Sequence, residues 1–194
     1  IKNGLPEFAR VTEKAGVAGF FPTEGITKQP IKTAHVVLDD IDNDGAVDIL
    51  LSVSYRDEKG GTTPVVLRNL GVKDGVPAFT RPPMDRLITY FAPAPTCDFD
   101  RDGRLDIFFP TWFVEVPSLL LRNVTKGGHW LTVRVEGKGP GLNPTGVGAT
   151  VRLYAAGHSG DRKYLLGRRD ISIGSGYSSG EEPLAHFGLG ATET

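Results

Sequence analysis

The stretch Asp40-Ile-Asp-Asn-Asp-Gly-Ala-Val-Asp48-Ile49 decides the interpretation of this chain, because a second copy of it follows. That copy, Asp98-Phe-Asp-Arg-Asp-Gly-Arg-Leu-Asp106-Ile107, retains every acidic residue and the glycine. Apolar stretches of strand length flank both copies, at residues 35–38, 49–53, 94–97 and 107–109. None of these stretches has a helical period, so each acidic loop is predicted to connect two β-strands.

The acidic loops have the spacing of a calcium site. Acids stand at loop positions 1, 3, 5 and 9, a glycine at position 6 permits a sharp turn, and position 7 can offer a backbone carbonyl. Calcium takes six to eight oxygen ligands in a flexible shell, which suits four carboxylates better than the stricter geometry of magnesium. We therefore predict two Ca²⁺ sites, with Asp40, Asp42, Asp44, Ala46 and Asp48 in the first and Asp98, Asp100, Asp102, Arg104 and Asp106 in the second.

The same acidic pattern has three alternative interpretations. An EF-hand needs a glutamate at position 12 between two helices, but Leu51 and Phe109 stand there in apolar, strand-like runs. Zinc is disfavoured because no cysteine or histidine joins either cluster. A single acidic loop could also be a turn that binds nothing, but the presence of two complete copies favours a metal site. Because a closed carboxylate cage leaves no position for a substrate, we expect a structural metal.

A second repeated signature, an apolar residue followed by a basic residue and asparagine, extends the repeat. It occurs at Ile1-Lys2-Asn3, Leu67-Arg68-Asn69 and Leu121-Arg122-Asn123. The repeat then reads strand, acidic loop, strand, loop, strand, which is typical of β-propeller blades. Residues 1–127 are accordingly predicted to hold the tail of one repeat and two further repeats.

Residues 128–194 have a different pattern. Trp130–Glu136 and Ala149–Tyr154 alternate apolar and polar residues, and 164–166 and 171–173 are further strand candidates. Between the first two lies a loop rich in glycine and proline. We predict a second, small β-sandwich or barrel-like domain that begins after Gly127-Gly128, and an all-β fold for the whole chain.

Composition excludes several classes of protein. The 22 Lys and Arg residues nearly balance 23 Asp and Glu, for a net charge of -1, so no basic surface for nucleic acid is expected. No apolar run approaches the ~20 residues that span a bilayer. The lone Cys97 excludes an internal disulfide and is predicted to be a buried, inert thiol. The 25 glycines and 14 prolines agree with many turns.

Other motifs support weaker hypotheses. Gly176-Tyr-Ser178-Ser-Gly180 fits the pattern of a serine-hydrolase nucleophile at Ser178, but a glycine-rich turn is the better interpretation because no helix pattern follows. Trp112, Phe113 or Tyr177 could stack on sugar, which keeps a carbohydrate-binding module as the alternative function.

Single polar residues have structural interpretations. Asn123 begins a glycosylation sequon, yet its place in the repeated signature indicates a structural asparagine. For His129 and His186 a packing or hydrogen-bonding role is expected.

The repeated loops, with the following isoleucine and the later Leu-Arg-Asn, resemble FG-GAP/VCBS repeats. The last third resembles the ASPIC/UnbV domain, in the stretches 129–135, 146–153, 174–177 and 186–190. The order of the two modules is similar to that of the cartilage acidic protein family. That domain normally continues beyond His186-Phe-Gly-Leu-Gly190 into another strand, so the resemblance implies that this chain lacks the last strand.

The resemblance implies a secreted, periplasmic or cell-surface protein without enzymatic activity. Its implied role is protein–protein interaction or adhesion. We add the hypothesis that the chain is an accessory subunit of a larger, membrane-associated complex, which would explain its uncovered repeat edges. Two repeats and a tail cannot close a ring of four or more blades. We therefore expect either a fragment or a partner that covers the open edges, since exposed edges aggregate.

Overall fold

The computed structural model describes residues 6–18, 35–52, 65–82, 95–110, 114–115, 117–174 and 180–192. Within these residues the fold is all-β, as predicted, and a single 3₁₀ turn, Arg162–Tyr164, is the only helical element. The strands are β1 (His35–Asp39), β2 (Asp48–Ser52), β3 (Val65–Lys73), β4 (Val76–Thr80), β5 (Thr96–Cys97), β6 (Asp106–Phe109), β7 (Leu119–Leu121), β8 (His129–Arg134), β9 (Thr150–Tyr154), β10 (Leu165–Asp170) and β11 (Leu184–Gly190).

Two antiparallel sheets carry the acidic loops in the same register. The first sheet has the order β1-β2-β3-β4 and the second the order β5-β6-β7. Asp39 pairs with Asp48 across the first loop, and Cys97 pairs with Asp106 across the second. The acid at position 9 is therefore the first residue of the strand that leaves each loop. The hairpin from β3 to β4, which turns at Asp74-Gly75, was not predicted.

The first two sheets share one hydrophobic core. Strand alternation directs every second residue to the same face. Val37, Leu50 and Val66 of the first sheet cluster with Ile107 and Phe109 of the second, and Phe109 is 0 % exposed. Since a repeated unit packs on its neighbour in this way, the two loops lie on one connected body.

The other face of the first sheet has a smaller core around Leu67. Val17 packs against this face, and the Ala15 carbonyl accepts a 2.9 Å hydrogen bond from the Phe79 N–H. Residues 11–17 form a hydrogen-bonded turn here rather than a helix. The segment before the first complete repeat is thereby attached to β4.

The C-terminal part contains two further antiparallel pairs, β8 with β11 and β9 with β10. Ile171, Ala185 and Phe187 form their shared core. Among the described residues, none of the sheets closes into a barrel. The strand predicted at 171–173 was wrong, because β10 ends at Asp170 and Ile171 continues only as a core residue bonded to Ala149 and Gly148.

The prediction of a buried Cys97 is also wrong. In β5 the preceding residue, Thr96, faces the core, so alternation places Cys97 on the opposite, exposed face. Partial burial and the neighbouring carboxylates Asp106 and Asp98 raise the pKa of its thiol. A raised pKa keeps the thiol protonated and therefore poorly nucleophilic.

Candidate metal centre

The carboxylate at position 1 of each loop is fixed by backbone amides. Asp40 accepts the N–H groups of Asp44 and Gly45 at 3.1 and 2.9 Å. Asp98 accepts the N–H groups of the matching residues in the second loop, both at 2.9 Å. The position-6 glycine makes this turn possible, because its φ is 94° in the first loop and 84° in the second, where a Cβ is strained.

The carboxylate at position 9 is held in the same way in both loops. Asp48 accepts the N–H of Ile41 at 3.0 Å and that of Asn69 at 2.7 Å. The N–H groups of the matching residues lie 3.2 and 2.7 Å from Asp106. The asparagine of the repeated Leu-Arg-Asn signature thus holds the last acid of each loop. Its recurrence in the sequence indicated that this asparagine has a role, but only the structure shows which residue it contacts.

Three predicted ligands of each loop come together. One carboxylate oxygen of each lies within 4.8 Å of the others, in the groups Asp40, Asp42, Asp48 and Asp98, Asp100, Asp106. The position-5 acids Asp44 and Asp102 are outside these groups and accept the N–H of the residue two places on, at 2.9 and 3.0 Å. Ligation by these two acids and by the Ala46 and Arg104 carbonyls stays a prediction.

The arginine of the signature supplies positive charge to positions 3 and 5. Arg68 pairs with Asp42 and, at 3.3 Å, with Asp44. Arg122 lies 2.7 Å from Asp100 and 3.1 Å from the Asp102 carboxylate. Both guanidinium groups are about half exposed, so they lie at the outer side of the loops. The two arginines therefore balance part of the negative charge of each loop from its outer side.

Positions 1 and 9 of the first loop are buried carboxylates with only amide partners among the described residues. Asp40 and Asp48 are each 1 % exposed, and burial raises the pKa of each to about 6. Buried carboxylates are costly to ionise unless positive charge is close. The Oδ1 atom of Asp42 is buried without a hydrogen-bond partner in the described part of the chain. These groups fit a bound cation.

The donor set indicates which cation fits. Every converging ligand is a carboxylate oxygen, the donor preferred by hard divalent cations, and neither group contains cysteine or histidine. A cation bound there would neutralise the carboxylates and connect the two ends of each loop. Residues Asp40, Asp42 and Asp48 would hold one ion, and Asp98, Asp100 and Asp106 the other.

The first loop also contacts the C-terminal sheet through Asn43 at position 4. Asn43 is 1 % exposed, with φ 57°. Its Oδ1 lies 2.7 Å from His186 Nε2, its backbone carbonyl accepts the Gly190 N–H at 2.9 Å, and its Nδ2 donates to the Gly103 carbonyl at 2.8 Å. One buried side chain therefore joins the first loop to the second loop and to β11.

His186 has the hydrogen-bonding role that the sequence predicted. Its Nδ1 lies 3.3 Å from Thr132 Oγ1 and its Nε2 faces Asn43 Oδ1, which assigns the tautomer with the proton on Nε2. Burial lowers the pKa of this imidazole, so it is neutral near pH 7. His129, in contrast, is exposed.

A cavity of about 500 Å³ lies beside the second loop, against the C-terminal sheets. Trp130 lines it together with charged side chains of both signs, among them Arg101, Arg169 and Asp39. Burial raises the pKa of Asp39 to about 6. The sequence pattern had not indicated this cavity, because its wall comes from distant parts of the chain.

The residues of the weaker hypotheses, Trp112, Phe113, Tyr177 and Ser178, lie outside the described residues. None of the described residues belongs to a helix long and apolar enough to span a membrane.

An all-β protein with two matched acidic loops is thus the class that fold and site define. Residues 139–194 match the family model described as ASPIC and UnbV, which confirms the C-terminal part of the resemblance. The match begins after β8, whose pairing with β11 joins it to the matched segment. No curated protein matches the chain. The FG-GAP/VCBS assignment of the first part stays a prediction.

Proposed function

We propose that this chain is a non-catalytic, calcium-binding β-protein that acts outside the cytoplasm in protein–protein interaction or adhesion. The observation that carries the calcium proposal is the buried Asp40–Asp48 pair, whose partners in the described part of the chain are all backbone amides. Beside it lies the Oδ1 of Asp42, which is buried and has no hydrogen-bond partner among the same residues. Recurrence of the same amide contacts in the second loop supports a second site. The role of the ion is to hold the loops in shape.

The resemblance to FG-GAP/VCBS repeats and the match to ASPIC and UnbV support the interaction role. The two sheets of short strands share one hydrophobic core, as neighbouring blades do, which supports a propeller-like arrangement of repeats. In this proposal the partner is another protein, such as the main subunit of a periplasmic or surface complex, and this chain supplies calcium-stabilised loops to the assembly.

Thermal unfolding in calcium and in chelator tests the calcium proposal. With calcium at 100 times the dissociation constant, each site adds about 2.7 kcal/mol to the free energy of unfolding. For a protein of this size, each kcal/mol shifts Tm by about 2–4 °C, so the two sites together shift it by about 10–20 °C. Equal melting temperatures in calcium, magnesium and chelator would refute the proposal.

Single-site variants assign the shift to the loops. Asp42→Ala and Asp100→Ala each remove one converging carboxylate, and each should lose about half of the calcium-dependent shift. Neither should lower Tm much in chelator, because the partners of both side chains among the described residues are exposed arginines. Glu136→Ala, which removes an exposed acid outside the loops, is the matched control and should retain the full shift.

A further inference from the structure

The two acidic loops are connected by a side-chain amide at position 4 of the first. Asn43 lies between Asp42 and Asp44 in the sequence and donates Nδ2 to the Gly103 carbonyl at 2.8 Å. The N–H of the same Gly103 holds Asp98, the first carboxylate of the second loop, at 2.9 Å. A displacement of Asn43 is therefore transmitted to a residue that fixes a ligand of the other site.

A second amide makes the reciprocal connection. The backbone N–H of Asn123 holds Asp106 at 2.7 Å, while its Nδ2 donates to the Ile41 carbonyl at 2.7 Å and to the Leu105 carbonyl at 3.0 Å. Ile41 in turn holds the Asp48 carboxylate through its own N–H at 3.0 Å. One asparagine thus contacts a ligand of the second site and the residue that orients a ligand of the first.

Among the residues that the structure describes, the connections made by Asn43 and Asn123 between the two loops are not made by the equivalent residues of the other repeat. Arg101 stands at position 4 of the second loop, has φ 60°, and is exposed. Asn69, the repeat equivalent of Asn123, donates its Nδ2 to the Val47 carbonyl of its own loop at 2.8 Å. The chain therefore contains a matched control for each connecting residue.

We propose that cation binding at one loop strengthens cation binding at the other through Asn43 and Asn123. This inference rests on the proposed calcium function and adds its regulation. Binding of a cation orders the backbone of its loop, which costs conformational entropy. This cost is smaller when the neighbouring loop is already ordered and holds the first loop in place. Repulsion between the ions opposes the effect, but three or more carboxylates per loop neutralise each ion. Coupling between sites is typically 5–150-fold, and we expect about 10-fold.

Calorimetric titration with Ca²⁺ measures the coupling. Asp100→Ala gives the association constant of the first site alone, and Asp42→Ala that of the second. For independent sites, the product of the two stepwise constants of the unmodified chain equals the product of these single-site constants. We expect the former to be about 10 times larger.

Asn123→Ala keeps the backbone N–H on Asp106 but removes one of the two connections, so it should lower that ratio clearly towards one when combined with the same single-site variants. Asn69→Ala should leave it near 10. Asn43→Gly and Arg101→Gly form the second matched pair; if Asn43→Gly does not fold, the Asn123 pair decides alone.

A ratio of one in the unmodified chain, with both sites binding, would overturn the coupling and leave the calcium function intact. Persistence of the full ratio in Asn123→Ala would overturn the route. Absence of any calcium binding would instead refute the proposed function.

Discussion

Replacement of Asn43 by glycine tests whether the first acidic loop is the point at which the C-terminal sheet is attached. Glycine accepts the φ of 57° at this position, so the change removes the side chain without backbone strain. It leaves the buried Gly103 carbonyl and the His186 Nε2–H without their partners. The bond from the Gly190 N–H to the residue-43 carbonyl is retained.

The cost follows from these contacts. An unsatisfied buried group costs about 1–3 kcal/mol, and we take about 1 kcal/mol for the half-buried His186 and about 1–2 kcal/mol for the buried carbonyl. Glycine adds about 0.5–1 kcal/mol through the entropy of the unfolded chain. The total, about 3 kcal/mol, corresponds to a decrease in Tm of about 6–12 °C for a protein of this size.

Chemical denaturation in chelator, read by circular dichroism, isolates this effect from metal binding. Arg101→Gly is the control, because it makes the same backbone change at an exposed side chain in the matching loop. Its unfolding free energy should change by less than about 1 kcal/mol. If the two variants differed by less than 1 kcal/mol, Asn43 would not be the attachment point and the reasoning would be wrong.

Three further predictions concern packing and pH. Phe109→Ala, at a residue 0 % exposed, should cost about 3–5 kcal/mol in chemical denaturation, and Phe108→Ala, at 39 % exposure, less than half as much. Gly188→Ala should lower Tm, because its Cβ would lie 2.5 Å from the Asn43 Cα, whereas Gly174→Ala, with nothing within 4 Å, should leave Tm unchanged. Because the pKa of His186 is lowered in the folded protein, the unfolded state binds a proton first as pH falls. His186 should therefore destabilise the fold below about pH 6.5, the ordinary pKa of histidine. The difference in unfolding free energy between the unmodified chain and His186→Gln should change below that pH and be constant above it.

Local pattern was enough to predict the loops and the strands around them. The alternate acids, the glycine at position 6 and the apolar flanks act over a few residues: strands flank both loops, and the acids at positions 1, 3 and 9 converge, whereas those at position 5 lie outside the two groups. The face of a strand was harder to predict, since Cys97 was placed on the wrong side of β5. A two-residue strand shows no alternation from which its buried face can be read.

The long-range contacts could not be predicted from pattern. Position 4 looks free to vary when the loops are compared, because it is asparagine in one copy and arginine in the other. Only the fold shows that Asn43 is buried against β11, 143 residues further on in the chain, while Arg101 is exposed. The difference between the repeats, rather than their similarity, indicated where the C-terminal sheet attaches.

The amide of Asn123 has a practical consequence for production of the protein. Asn123-Val-Thr125 is an acceptor sequence for N-linked glycan, which is attached at the Asn Nδ2. In the folded chain both hydrogens of that nitrogen are engaged, by the Ile41 and Leu105 carbonyls. A host that glycosylates the nascent chain would replace one of these hydrogens before the loops could close. Expression without glycosylation machinery avoids this competition between modification and folding.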